Sequence, residues 1–152
     1  MADKPSETVI RAWARLLKAH RIALSSVEKQ LKAAELPPLA WYDVLLEVER
    51  AGAEGIRPFE LERAMLLEQY NLSRLVDRIH TAGYIQRRAH EQDGRGQLIA
   101  ITEQGKALRR KMWLVYARAI QMAIGKRLVE SQAKELEDLL DLLIEQSDDE
   151  LR

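Results

Sequence analysis

The 152-residue chain is 47% hydrophobic and 32% charged, enough apolar material for one core beneath a charged, helix-rich surface. Lysine plus arginine (24) balance aspartate plus glutamate (24), so the net charge by itself announces no nucleic-acid or membrane partner. The absence of cysteine excludes disulfides, thiol catalysis and cysteine-based redox sensing. No apolar run nears the roughly 18 residues of a membrane span and MADKPSE is no apolar leader, which gives the expectation of a cytoplasmic protein.

In chain order, residues 1–5 read as a loose arm, and Ser6 is placed to cap a helix running to about Glu35. Its apolar positions, Val9, Trp13, Leu16, Leu17, Leu24, Val27 and Leu31, form a long stripe. A helix of about 30 residues is roughly 45 Å long. One small domain cannot cover that length, so a second copy of the chain is the simplest partner. Leu36-Pro37-Pro38 ends this helix. A second helix starts near Pro38 with Trp41, Val44, Leu45 and Val48 on one face, and 51–55 (AGAEG) is a break.

Pro58 suits the first position of a short helix with Leu61, Ala64 and Met65 inward. From Tyr70 to Ala82, Leu72, Leu75, Val76 and Ile79 recur at helical spacing, leaving Tyr70, Asn71, Ser73, Arg74, Asp77 and Arg78 on the opposite face. Gly83 fits the residue just past a helix end. Two short strands follow, Tyr84–Ala89 and Leu98–Thr102, around the polar loop His90–Gly96 with its Asp-Gly turn signal. Thr102 caps a helix to about Ile124 that buries Leu108, Met112, Val115 and Ala119, with Met122 next in line, and Gly125 interrupts or ends it. Ser131 is placed to cap a last helix with Leu136, Leu139, Leu140 and Leu143 inward, and Ser147 to Arg152 reads as a frayed acidic tail.

Charge is segregated along the chain. Tyr84–Lys111 holds seven basic residues against three acidic, a net +4, and Glu130–Arg152 holds nine acidic against two basic, a net −7. Solvated helix faces explain some of this, and a basic central surface explains more.

Short helix, turn, amphipathic helix with a polar face, basic hairpin: this is the order of a winged helix-turn-helix. The stretch resembles the DNA-binding core of the MarR family of transcriptional regulators. The matching pieces are Leu72-Ser73-Arg74-Leu75-Val76-Asp77-Arg78-Ile79 on the recognition helix and Gly83-Tyr84-Ile85-Gln86-Arg87-Arg88 entering the wing. Asp93-Gly94-Arg95 follows at the wing tip, and Ile101-Thr102-Glu103-Gln104-Gly105 leaves it. The resemblance implies a mainly α fold with a small β-hairpin wing, a single domain over 1–152. In it, helices at about 6–36 and 103–146 form a dimerisation lobe, and about 37–102 form the DNA-binding lobe. It also implies a homodimer on a near-palindromic operator in double-stranded DNA, acting as a repressor.

On such a surface, affinity comes from cations meeting phosphates, with Arg74, Arg78, Arg87, Arg88 and Arg95 as candidates. Sequence choice comes from the start of the recognition helix, where the family pattern begins at about Glu68 and offers Gln69, Tyr70, Asn71, Ser73 and Arg74. Gln and Asn can pair with adenine through two hydrogen bonds, and Arg with guanine. Arg95, between two glycines, is a candidate for the minor groove. Asp93 is expected to brace the wing; in the family this aspartate pairs with an arginine, for which Arg74 and Arg78 both remain open. Glu68 stands where the family often starts the helix with serine or threonine, and Leu66 where a turn glycine often sits.

Family members often bind small, frequently aromatic anions, and the candidate effector pocket here is Trp13, His20, Trp41 and Tyr42. Packing is the readier explanation of the tryptophans, and a core or interface position with a local hydrogen bond is the readier one for His20. The three histidines, His20, His80 and His90, form no His-x-x-x-His pair, and neither metal nor cofactor is expected. No G-x-S-x-G, Walker loop or Rossmann fingerprint supports an enzyme. The alternative is a winged helix used for protein contacts, which would favour an apolar or acidic recognition face.

Overall fold

A computed structural model of the chain describes residues 3–89 and 96–150. Its elements are α1 (Glu7–Ala33), α2 (Leu39–Ala51), a 3-10 turn (Gly52–Glu54), α3 (Pro58–Ala64), α4 (Leu72–Thr81), β1 (Ile85–Ala89), β2 (Gln97–Ile101), α5 (Glu103–Ile120), a π turn (Gln121–Gly125) and α6 (Glu130–Glu150). The mainly helical fold with a two-stranded antiparallel hairpin is a winged helix, as the sequence predicts. Among the described residues no helix is long and apolar enough to cross a membrane.

The chain divides into two compact units, one spanning Val27–Tyr116 and the other joining the residues up to Ser26 to those from Ala117 onward. The first contains the winged helix. Its core is Val44, Leu45 and Val48 of α2, Leu61 of α3, Leu75, Val76 and Ile79 of α4, and Ile85 and Ile99 of the strands. Each such side chain, fully buried, contributes on the order of 1.5–3 kcal/mol. The helical stripe of α4 is therefore what fixes the recognition helix to the lobe. Ala64 departs from its expected inward position and is exposed; a seven-residue helix turns only Leu61 fully inward, with Met65 half-buried behind it.

The wing register pairs Ile85 with Ile101, Arg87 with Ile99 and Ala89 with Gln97. Both strands sit one residue from their predicted bounds. Tyr84 falls outside β1 because its N–H turns back to the Ile79 carbonyl, and Gln97 joins β2 opposite Ala89. Ile56 adds an isolated bridge to Ile99, which ties the segment before α3 to the sheet.

The second unit holds most of α1, the end of α5 and all of α6. Ser6 caps α1 through its hydroxyl, which accepts the Val9 N–H at 3.2 Å. The helix stops at Ala33, short of Glu35, because Glu35 takes φ 57° and Leu36 N–H returns to the Leu31 carbonyl at 2.9 Å. α5 also ends earlier than predicted, at Ile120, and continues as a π turn through Gly125, where Met122 is exposed and not buried. Ser131 does not cap α6: the helix already begins at Glu130, and the Gln132 side chain accepts the Val129 N–H at 3.0 Å. The helix runs on to Glu150, through most of the predicted frayed tail. Leu136 and Leu140 are half-buried, whereas Leu139 and Leu143 are exposed on this single chain.

Candidate nucleic-acid interface

The recognition helix begins later than the sequence pattern suggests. Asn71, and not Glu68, opens it: the Asn71 Oδ1 accepts the Arg74 N–H at 3.1 Å, and its carbonyl accepts the Leu75 N–H. A short amide side chain reaches the first-turn N–H groups directly, which is why asparagine outranks glutamate as a cap. Tyr70 and Asn71 therefore lie just ahead of α4 and not on its face. Ser73, Arg74, Asp77 and Arg78 are exposed along it, opposite buried Leu75, Val76 and Ile79.

The far end is closed as the sequence predicts. Gly83 adopts φ 87°, its N–H meets the His80 carbonyl at 2.9 Å, and Tyr84 N–H meets the Ile79 carbonyl.

The turn between α3 and α4 is held by a residue that the sequence reading did not single out. Asp43 of α2 is 5% exposed, and its two carboxylate oxygens accept the Leu66 N–H at 3.1 Å and the Leu67 N–H at 2.7 Å. This clamp sets where α4 begins relative to the core. The available signal was an acidic residue inside the otherwise apolar run Trp41–Leu46. Leucine is tolerated at 66 because the turn demands no glycine: Glu35 alone among the described non-glycine residues has positive φ.

The wing is tied to the helices by two arginines. Arg87 donates to the Asp77 carboxylate on α4, and Arg88 donates to the Ala53 carbonyl at 2.8 Å. The Arg87 Nε–H is buried with no hydrogen-bond partner among the described residues, so losing Asp77 would leave this guanidinium still less compensated. Both arginines thus brace the wing, whereas Arg74 and Arg78 have no ion-pair partner among the described residues. Asp93 and Arg95, predicted for the wing tip, lie outside the described residues.

Leaving the wing, Thr102 does two jobs. Its hydroxyl donates to the Gly83 carbonyl at 2.7 Å and accepts the Gly105 N–H at 3.0 Å, so one side chain joins the ends of α4 and α5. Gly105 is required by contact: a Cβ there would stand 2.1 Å from the Tyr84 carbonyl oxygen.

A cleft of about 410 Å3 opens between α3, the start of α4 and the strands, with Phe59, Gln69, Tyr70, Ser73, Arg87 and Gln97 on its walls. Gln69 is half-buried and Tyr70 is fully exposed. Of the predicted effector residues, Trp13 and His20 are exposed on α1. Trp41 makes an edge-to-face contact with Tyr84 at 6.1 Å and packs on the core. Tyr42 instead stacks on Trp113 and meets Tyr116 edge-on, so these two neighbours face different aromatic partners.

The MarR family model matches residues 35–96, from the end of α1 to the wing loop. Over this stretch, less than half of its length, the chain is similar to the MarR family. Its curated MarR relatives include the multiple antibiotic resistance protein MarR of Salmonella typhimurium and that of Salmonella typhi. Each is 28% identical over 99 residues, covering 65% of this chain and 67% of the relative. The fold is shared with Sco3205, a MarR family transcriptional regulator from Streptomyces coelicolor solved in complex with DNA (TM-score 0.86, 21% identity, 96% of this chain and 91% of that one). It is shared as well with AbsC, a MarR family regulator of the same organism (TM-score 0.81, 23% identity, 97% and 99%). A mutant MarR from E. coli complexed with operator DNA has TM-score 0.77 at 21% identity, over 93% and 99% of the two chains. The MarR-type motifs quoted from the sequence correspond here to physical parts: the α4 stripe, the Gly83 closure, the Arg87 and Arg88 braces, and the Thr102–Gly105 junction.

Proposed function

We propose that this chain is a homodimeric, sequence-specific DNA-binding regulator of transcription of the MarR family that acts as a repressor in the cytoplasm. The observation that carries the reading is the outward face of α4. Arg74 and Arg78 stand there without ion-pair partners among the described residues, beside Gln69, Tyr70 and Ser73, on a helix held by Asp43 and the wing. Cations without partners next to donor and acceptor side chains suit phosphates and base edges together. Arg95 reaches the minor groove in this reading and Asp93 steadies the wing tip. Two fold relatives solved with DNA bound support the same use of the fold.

Dimerisation is supported by the apolar side chains left in solvent on each terminal helix. Val9, Trp13 and Leu17 of α1 and Leu139, Leu142 and Ile144 of α6 are exposed on one chain. A twofold dimer presents two recognition helices to half-sites about one helical turn apart. Release by a small aromatic anion completes the proposal, through a dimer whose recognition helices are wrongly spaced for the operator.

The test is a gel shift with the DNA flanking the coding gene, paired with the mass of the complex. Binding to a near-palindrome there, two chains per duplex, supports the reading. Equal binding to every duplex at low salt contradicts it. Arg95→Ala should weaken binding and flatten its salt dependence by about one phosphate contact per chain; an unchanged slope removes the wing. A thermal-shift screen in which no organic anion binds or releases DNA removes the effector.

A further inference from the structure

We propose that Tyr70 is a specificity-determining residue that reads thymine in each half-site through the C5 methyl group; this rests on the DNA-binding reading above. Single exposed apolar side chains are ordinary on protein surfaces, so exposure alone decides nothing. Position decides. Tyr70 is fully exposed and directly precedes Asn71, the cap of α4, at the end of the helix that a helix-turn-helix places against base edges.

Its neighbours narrow the chemistry. Recognition of adenine through two bonds uses both the oxygen and the nitrogen of an amide side chain. The Asn71 oxygen already holds the Arg74 N–H at 3.1 Å, which turns this amide back onto the first turn of α4. Gln69, Ser73 and Arg74 end in polar groups. Leu72 packs against the core and is only part-exposed. Between residues 69 and 74, Tyr70 is thus the one exposed large hydrophobic side chain. In the major groove the apolar feature of a base pair is the thymine methyl. The tyrosine hydroxyl could instead meet a phosphate, but such a contact positions the protein and carries no sequence information.

The experiment first selects an operator from a random duplex library with the full wild-type chain. Thymidines in the selected half-site are then replaced one at a time by deoxyuridine, which removes only the methyl group. At one position the wild type should lose about fourfold in affinity per half-site, the worth of one buried methyl. Tyr70→Phe should lose the same, while Tyr70→Ala, confirmed folded by circular dichroism, should bind thymidine and deoxyuridine duplexes equally. Three results overturn the assignment: no position sensitive to the methyl group in the wild type, an undiminished penalty in Tyr70→Ala, or a penalty abolished in Tyr70→Phe. A wild-type chain that selects no sequence at all overturns the DNA-binding reading along with it, and so is told apart from a failure confined to Tyr70.

Discussion

Replacing Asp43 by alanine should loosen the recognition helix before it unfolds the protein. The carboxylate is buried and receives two backbone N–H groups, from Leu66 at 3.1 Å and Leu67 at 2.7 Å. Hydrogen bonds to a charged group are each worth about 1.5–3 kcal/mol. The Leu66 side chain is well exposed, so water can reach that segment and offset part of the loss, whereas Leu67 is half-buried. A net destabilisation of about 3 kcal/mol follows, which for a chain of this size is a fall in Tm of about 6–12 °C. Asp43→Asn keeps the shape but has one acceptor oxygen and turns an N–H donor toward one of the two amides; it should retain less than half of the lost stability. The assay is urea unfolding at fixed protein concentration, since the proposed dimer would make stability depend on concentration. DNA affinity would then be measured well below the unfolding midpoint, where a shifted α4 should cost about tenfold or more. A change in stability under about 1 kcal/mol with unaltered DNA affinity would refute the clamp.

Three further outcomes are expected. Gly105→Ala places a methyl 2.1 Å from the Tyr84 carbonyl oxygen and should destabilise by about 1–3 kcal/mol in thermal unfolding, since backbone must move. Glu35→Gly should stabilise by about 0.5–1 kcal/mol, because Glu35 holds φ 57° at the end of α1 where glycine carries no steric penalty; a lower urea midpoint would contradict this. Burial, then the neighbouring Tyr42 and Asp43, raises the Tyr116 hydroxyl above its usual titration range. A group whose folded pKa is raised contributes stability that is complete below its unfolded value of about 10 and is lost as pH rises through the folded value. Urea midpoints should therefore fall more between about pH 9 and about pH 11 in the wild type than in Tyr116→Phe.

The helices, the hairpin and most of the core were legible because each rests on local pattern. The stripe Leu72, Leu75, Val76, Ile79 and the glycine that follows encode α4 and its end within a dozen or so residues. What escaped the sequence was long-range polar pairing. Asp43 meets Leu66 and Leu67 more than twenty positions on, and Arg88 meets Ala53 thirty-five positions back, and no periodicity encodes either. The start of α4 was misplaced for a related reason. Family spacing pointed to Glu68, while capping chemistry favours the asparagine nearest the apolar stripe. The same cap changes the candidate site, since it gives Asn71 a structural task at the start of α4. Arg87 and Arg88 were read as phosphate ligands from charge alone; their partners on Asp77 and Ala53 make them the braces of the wing first.

The central claim is that α4 and the wing are presented in duplicate to a DNA duplex of defined sequence. The most direct measurement is the affinity of the full chain for the flanking palindrome and for a shuffled duplex across a salt series, with the mass of each complex. The account predicts two chains per palindrome, a steep fall of affinity with salt on both duplexes, and tighter binding to the palindrome by about a thousandfold or more. One chain per duplex, or the same affinity for both sequences at every salt concentration, would contradict it.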